Sequence, residues 1–427
     1  MPLKPPAKTA FRCPGESYPI DRPTHLARLA SGYAPCRSCA DRQETGGLLP
    51  AATPSSTDEV CHSSGLADAI WTSEGLAGTA ENQIDAAVAR RLGMALGTVL
   101  AQLPGAGKPV RVAVGGDGRW LTAPLVAGVS LGCQRAGCRV IEIGNATAGS
   151  MEMAIRDSGL DGGILIGNAV GAAQMVGLKC WGADARPFSA GGGLEAVRRA
   201  AAGEAVRTSR RFGGLERVDL TAAYRQQLGE LFHGLRPLRF VLDAASRPLV
   251  EHLRVLVGRS ACEIISPGVP DSELLAELVP AGSPRPSRIG AQAVRPGALA
   301  RRAESARTRP DSPRSRAIDR LRTRIARVEA DFGLWIDGDG DELVLVDQRG
   351  RQIGPARLLG ALRREAAPTD RRPIVLAAGF APCDRQPFEA DGPVIEAEPT
   401  REAVDAAMRA SGAVAAAGPG DRLWFAG

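Results

Sequence analysis

The sequence predicts an α/β protein: three consecutive βαβ-rich domains with mixed sheets, preceded by an irregular, Cys-containing N-terminal extension. Three observations predict it. Apolar runs of strand length alternate with stretches of helical period after Asp68. This alternation starts afresh near Arg239 and again near residue 355. Residues 1–65 carry neither period and are instead rich in Pro, Ser and Thr, with four of the nine Cys.

The elements follow in order. Ile84, Val88, Leu92, Leu96, Val99 and Leu103 keep a helical stripe until Pro104 ends it. Val110–Val114, a helix over about 122–136, Val140–Ile143, a helix near 149–158 and Ile164–Ile166 then make a βαβαβ unit, whose crossovers imply parallel strands. A second unit starts with the strand Arg239–Asp243, continues through a helix near 247–257 and returns at Cys262–Ile265. Residues 278–318 break the pattern with Pro, Arg, Ser and Ala and no apolar period, as an insertion would. A helix near 318–330 leads to strands at 333–336 and 343–347. The third unit has a helix near 355–366, a strand at Ile374–Ala377, a helix near 400–410 and an end at Phe425. The boundaries fall at 1–65 for the extension, 66–200 and 201–347 for the first two domains, and 348–427 for a shorter third. No repeat of solenoid period is present.

With 44% hydrophobic and 23% charged residues the composition is that of a soluble globular protein. The net charge of +6 is local: residues 281–320 hold ten Arg against Glu304, Asp311 and Asp319. A basic linker explains the pI near 9.0, and nucleic acid is not an expected partner. No apolar leader follows Met1 and no run approaches a membrane span, so no membrane partner is expected. An odd number of scattered Cys argues against a disulfide framework, and the cytoplasm is the expected compartment.

Two groups of residues have metal-ligand spacing. Asp337, Asp339 and Asp341 alternate with glycines, so an extended loop directs their carboxylates to one side, where a divalent cation such as Mg²⁺ can be shared. It is no EF-hand, since Glu342 and Gln348 stand where that loop wants Gly and Glu. In the extension, Cys36 and Cys39 form a Cys-x-x-Cys knuckle, and Cys13 with His25 completes a tetrahedral Zn²⁺ set, Cys61-His62 being a competing source of the fourth ligand. His233 and His252 have no partners in sequence and read as structural.

Four stretches carry a resemblance. Ile166-Gly-Asn-Ala-Val-Gly-Ala-Ala-Gln-Met-Val-Gly-Leu-Lys179 leaves a buried strand, Trp71-Thr-Ser-Glu-Gly-Leu-Ala-Gly78 opens the first domain, Val114-Gly-Gly-Asp-Gly-Arg119 ends its first strand, and Asp337-Gly-Asp-Gly-Asp341 closes the second. Together they resemble the α-D-phosphohexomutases, the phosphomannomutase/phosphoglucomutase family, over about Trp71 to Phe425. The resemblance implies a phosphohexomutase-type fold, a phosphosugar mutase reaction and a Mg²⁺ site made by three aspartates and a phosphoserine.

It also implies that this member is degenerate. The family's phosphorylated serine falls on Ala169, and its His-Asn-Pro on Val170, Gly171 and Ala172. From Gly163 to Lys179 there is no Ser, Thr, Cys, His, Asp or Glu to accept a phosphoryl group in its place. Lys179 matches the lysine that follows the nucleophile, and Asp117 with Arg119 matches a pair that holds the loop structure. The family's phosphate-holding arginine near the start is Ala77, and the arginine after its metal loop is Glu342. The sugar-recognition loop is expected around Ala415–Asp421 without its Glu and Ser, and with the sequence ending at Gly427 the third domain is truncated and a fourth is not expected. The expectation is therefore a mutase relative without catalysis, which acts by binding a sugar phosphate or a partner protein. A magnesium-dependent hexose-phosphate mutase with an atypical acceptor is one alternative; a zinc-knuckle assembly or nucleic-acid-contacting protein is the other.

Overall fold

The computed structural model describes residues 10–14, 18–30, 39–41, 66–103, 105, 109–167, 175–203, 208–244, 246–265, 313–338, 340–366, 372–379, 393–418 and 421–425. The chain forms two compact units, Met1–Ser63 and Ser64–Gly427.

In the first unit β1 (Ala10–Phe11) pairs antiparallel with β2 (Ile20–Asp21), and α1 (Arg22–Ala30) follows. The Asp21 carboxylate accepts the N–H of Thr24 at 3.0 Å, which satisfies a donor left over at the helix start. Phe11, Cys13 and Ile20 make its small core.

In the second unit the first sheet has the order β3-β7-β6-β4-β5-β8. Its strands are β3 (Leu76–Thr79), β4 (Arg111–Gly116), β5 (Arg139–Asn145), β6 (Gly162–Gly167), β7 (Met175–Gly182) and β8 (Leu215–Arg217). β4 runs parallel to β5 and β6, while β7 is antiparallel to both β6 and β3, so the sheet is mixed. The helices α2 (Ala86–Leu100), α3 (Ala123–Arg135), α4 (Ala148–Asp157) and α5 (Gly193–Ala202) flank it in sequence. Asp85 caps α2 by accepting from Ala87 and Val88, and Thr147 with Ser150 forms a capping box on α4. α2 and α3 approach very closely, because a Cβ on Gly93 would lie 2.3 Å from the Val129 carbonyl and one on Gly132 2.1 Å from that of Arg90.

A short helix, α6 (Thr221–Gly229), leads to the second sheet, ordered β10-β9-β11-β12-β13. It comprises β9 (Arg239–Ala244), β10 (Glu263–Ile265), β11 (Phe332–Ile336), β12 (Leu343–Asp347) and β13 (Gln352–Ile353), with α7 (Arg247–Val257) and α8 (Pro313–Val328) between strands. β9 is parallel to β10 and β11, and β12 returns antiparallel. The helix expected from residue 318 begins at Pro313, and Ala317, Ile318, Leu321 and Ile325 bury its apolar face, so the end of the expected insertion is ordered by packing. After α9 (Pro355–Ala366) the third sheet holds β14 (Ile374–Ala377), β15 (Val394–Ala397), β16 (Ala415–Gly418) and β17 (Arg422–Phe425) in the order β15-β14-β16-β17, with α10 (Arg401–Ser411) before β16.

The three mixed sheets and their helices are the phosphohexomutase-type α/β architecture that the sequence predicts. The last strand of the first sheet lies beyond residue 200, and that of the second lies beyond residue 347. No helix among the described residues is long and apolar enough to cross a membrane. The C-terminal ends of β4, β6 and β11 carry the Asp117 turn, the 168–174 stretch and the Asp337–Glu342 turn, the edge where open α/β sheets hold their ligands.

Candidate active-site cleft

Asp117 follows β4 and is 4% exposed. It receives Arg119 Nε at 2.5 Å and the hydroxyl of Thr122 at 3.0 Å, while Arg119 Nη1 donates to the Met175 carbonyl at 2.9 Å. The pair thus ties the turn after β4 to the start of β7. The partners of Asp117 lie within five residues of it. Ala169 itself lies outside the described residues, as does Asp339.

Lys179 sits on β7 opposite Leu165, and its ammonium bonds the Asp341 carboxylate at 2.5 Å. Both side chains are largely buried, at 12% and 15% exposure. Burial pushes the Asp341 carboxyl up, but the Lys179 ammonium, with Arg401 and Arg422 behind it, overrides this and holds it at about 2. Asp337 Oδ1 accepts the backbone N–H of Asp341 at 2.8 Å and of Glu342 at 3.1 Å, closing the turn between β11 and β12. Gly340 supplies the positive φ, +79°, that the turn needs.

Around this turn lies a polar network that the sequence did not reveal. Glu74 and Glu342 are buried, and the Arg422 guanidinium stands between them, 3.5 Å from Glu74 Oε1 and 3.7 Å from Glu342 Oε1. The charge reversal at 342 is therefore matched by an arginine from β17. Arg401 at the start of α10 donates its Nε to Glu74 Oε2 at 3.2 Å and lies 4.7 Å over the Trp181 ring. Trp181 Nε1 in turn donates to Glu152 at 3.2 Å, and burial raises the Glu152 carboxyl. Next along α10, Glu402 accepts the N–H of Ser189 at 2.7 Å and of Gly193 at 3.1 Å, capping the N-terminus of α5 with a carboxylate. The Ser189 hydroxyl donates to Glu74 at 2.8 Å. These contacts join the first and third sheets through residues more than 200 positions apart. No local spacing signals such pairs.

The stretch around which a sugar-recognition loop is expected is described at 415–418 and 421. Ala415–Gly418 is the buried strand β16, and Asp421 is 8% exposed and engaged by Arg314 and by Gln352 Nε2 at 3.2 Å. Small alanines fit between β14 and β17, so packing claims this segment. His252 accepts from Arg225 Nε at 3.1 Å and packs edge-on against Tyr224, in keeping with a structural role.

Of the magnesium ligands inferred from the acidic loop, two lie among the described residues, Asp337 and Asp341. Asp341 is held by an ammonium and Asp337 Oδ1 by two backbone N–H groups, and among the described residues no three His, Cys, Asp or Glu gather as a metal-binding group. The same holds for the zinc set. Cys13, His25 and Cys39 are each buried, Phe11 stacks on His25 at 4.0 Å and Arg28 Nη1 donates to Cys13 Sγ at 3.1 Å. They do not converge on one point, and Cys36 and Cys61 lie outside the described residues.

Comparison with known proteins agrees with this architecture. Residues 70–194 match the family model of the phosphoglucomutase/phosphomannomutase alpha/beta/alpha domain I. A phosphomannomutase of Escherichia coli is 27% identical over 286 residues, covering 64% of this chain and 54% of that protein. A probable phosphoglucosamine mutase of Methanopyrus kandleri is 26% identical over 288 residues, covering 65% and 53%. The chain thus spans about half the length of the curated relatives it matches. Among solved structures, a phosphoglucomutase/phosphomannomutase family protein of Burkholderia thailandensis superposes with a TM-score of 0.66 at 20% identity, covering 84% of this chain and 72% of that one. Parafusin, a phosphoglucomutase of Paramecium, gives 0.59 at 13% identity, covering 85% and 68%. The fold is of the phosphohexomutase type, and residues 70–194 match that family's domain I.

Proposed function

We propose that this protein is a phosphohexomutase relative that has lost phosphosugar mutase catalysis and acts by binding a sugar phosphate or a partner protein. The observation that carries this reading is the residue at the family's nucleophile position, Ala169, in a stretch from Gly163 to Lys179 that offers no hydroxyl, thiol, imidazole or carboxylate. A methyl group forms no phosphoester, and loss of a covalent nucleophile costs several orders of magnitude in rate. The Lys179–Asp341 pair supports it further, because a lysine and an aspartate that would serve phosphoryl transfer are turned on each other. A magnesium-dependent mutase with another acceptor and a zinc-knuckle or nucleic-acid-contacting protein each lack an observation of their own among the described residues.

The test is incubation with glucose or mannose 1-phosphate and Mg²⁺, followed by phosphorus NMR, with calorimetric titration of the same sugar phosphates. The reading expects no 6-phosphate. Heat of binding to a hexose phosphate then selects the sugar ligand, and its absence selects the protein partner. Turnover that disappears in Asp339→Ala would overturn the reading.

A further inference from the structure

We propose that the cleft has exchanged its metal for resident cations: the Lys179 ammonium takes the divalent ion's place on the acidic turn, and Arg422 neutralises the carboxylates beside it, so that ligand binding here needs no Mg²⁺. The proposal rests on the non-catalytic reading above and deepens it.

Three sets of contacts carry it. At Asp341, the residue that a cation would draw on is bonded by Lys179 at 2.5 Å from another sheet, with both side chains largely buried. A divalent ion would have to displace that ammonium from a site where water replaces it poorly. At Asp337, Oδ1 serves two backbone N–H groups and so shapes the turn. At 342, a carboxylate replaces the basic residue of the family's loop, and its balancing charge arrives from β17 as Arg422, which also reaches Glu74. Each carboxylate of the turn among the described residues thus has a partner inside the protein. Arg401 extends the same arrangement, holding Glu74 by both its backbone N–H and its Nε.

The network makes a directional prediction. Removing the ammonium leaves Asp337 and Asp341 close together with one charge fewer to balance them, which is the electrostatic condition for capturing a hard cation. Wild type should be indifferent to divalent ions, and a lysine variant should acquire a response to them.

The experiment is a Mn²⁺ titration of the full chain followed by electron paramagnetic resonance of the free ion, paired with thermal unfolding in Mg²⁺. Wild type should bind no Mn²⁺ up to about 1 mM, the weak end of biological divalent sites, and its midpoint should not move. Lys179→Met should bind Mn²⁺ and show a midpoint that rises with cation concentration. Lys179→Met with Asp341→Asn should lose that response. Wild-type binding of Mn²⁺ that Asp341→Asn abolishes would overturn the proposal, as would a folded Lys179→Met that gains nothing. If Lys179→Met does not fold, the wild-type titration and its Asp341→Asn control still decide. Hexose 1-phosphate is included in the same samples: turnover would refute the non-catalytic reading, whereas Mn²⁺ binding without turnover would refute only the internal-cation proposal.

Discussion

The turn at Asp117 and the turn at Asp337–Glu342 both follow a strand of a parallel pair and both hold buried aspartates, yet they are built differently. Asp117 finds its partners within five residues, in Arg119 and Thr122. Asp341 and Glu342 find theirs on other sheets, in Lys179 and Arg422. A locally closed turn retains its structure whatever happens to the chemistry around it. The Asp337–Glu342 turn is closed locally as well, by Asp337 Oδ1, but the charges on Asp341 and Glu342 are balanced over long range, by residues under separate constraint.

The largest effect should come from cutting the long-range side. Arg401→Ala takes from buried Glu74 one of its two guanidinium partners and removes the cation over the Trp181 ring, and should cost about 2–4 kcal/mol in urea unfolding. An effect below that of Arg119→Ala would break the comparison. Gly192→Ala comes next: a Cβ there would lie 2.1 Å from Glu402 Oε1, so overpacking should cost about 1–3 kcal/mol. Gly192→Ala combined with Glu402→Ala should recover part of that loss, since the clashing carboxylate is gone. Arg119→Ala removes one charge-assisted bond to Asp117 from a partly exposed position, and about 1–2 kcal/mol is expected by the same measurement.

The pH dependence gives an effect of comparable size to the last of these. Asp341 is held at about 2 against an ordinary 3.8. Its contribution is therefore fully present above the unfolded value and is lost as pH falls from near 4 towards 2, amounting to about 2 kcal/mol. Glu152 works in the opposite sense: burial raises its carboxyl, so its contribution is lost as pH rises from the ordinary carboxylate range through the raised value. Asp341→Asn should flatten the acid limb of the stability curve and weaken, without removing, the Glu152 component, whose main cause is burial. An unchanged acid limb would remove Lys179 and Asp341 from the account.

Much of this was legible in the sequence wherever the signal was local. The helices at 247–257 and 355–366 and the strand Ile374–Ala377 follow directly from apolar period and flanking residues. Ile84 shares the apolar stripe yet lies outside α2, because the Asp85 cap fixes where the helix begins, and Leu103 lies past the helix end at Leu100. The antiparallel strand Met175–Gly182 read only as the end of a loop, since an apolar run does not declare the direction of its neighbour. Strands β15 to β17 were hidden by short length, and β16 also by its run of alanines.

In the candidate site, Lys179, Asp337 and Asp341 were found by motif. Glu74, Glu152, Arg401, Glu402 and Arg422 were not, because ionic partners brought together by tertiary folding leave no spacing in the chain. Buried Cys13, His25 and Cys39 show the reverse case: ligand spacing was present, and the fold does not gather the three.

The most direct test of the central claim is intact-protein mass spectrometry after exposure of the full chain to glucose 1,6-bisphosphate and Mg²⁺. The account predicts an unchanged mass. A gain of one phosphoryl group, discharged again on adding hexose 1-phosphate, would contradict it.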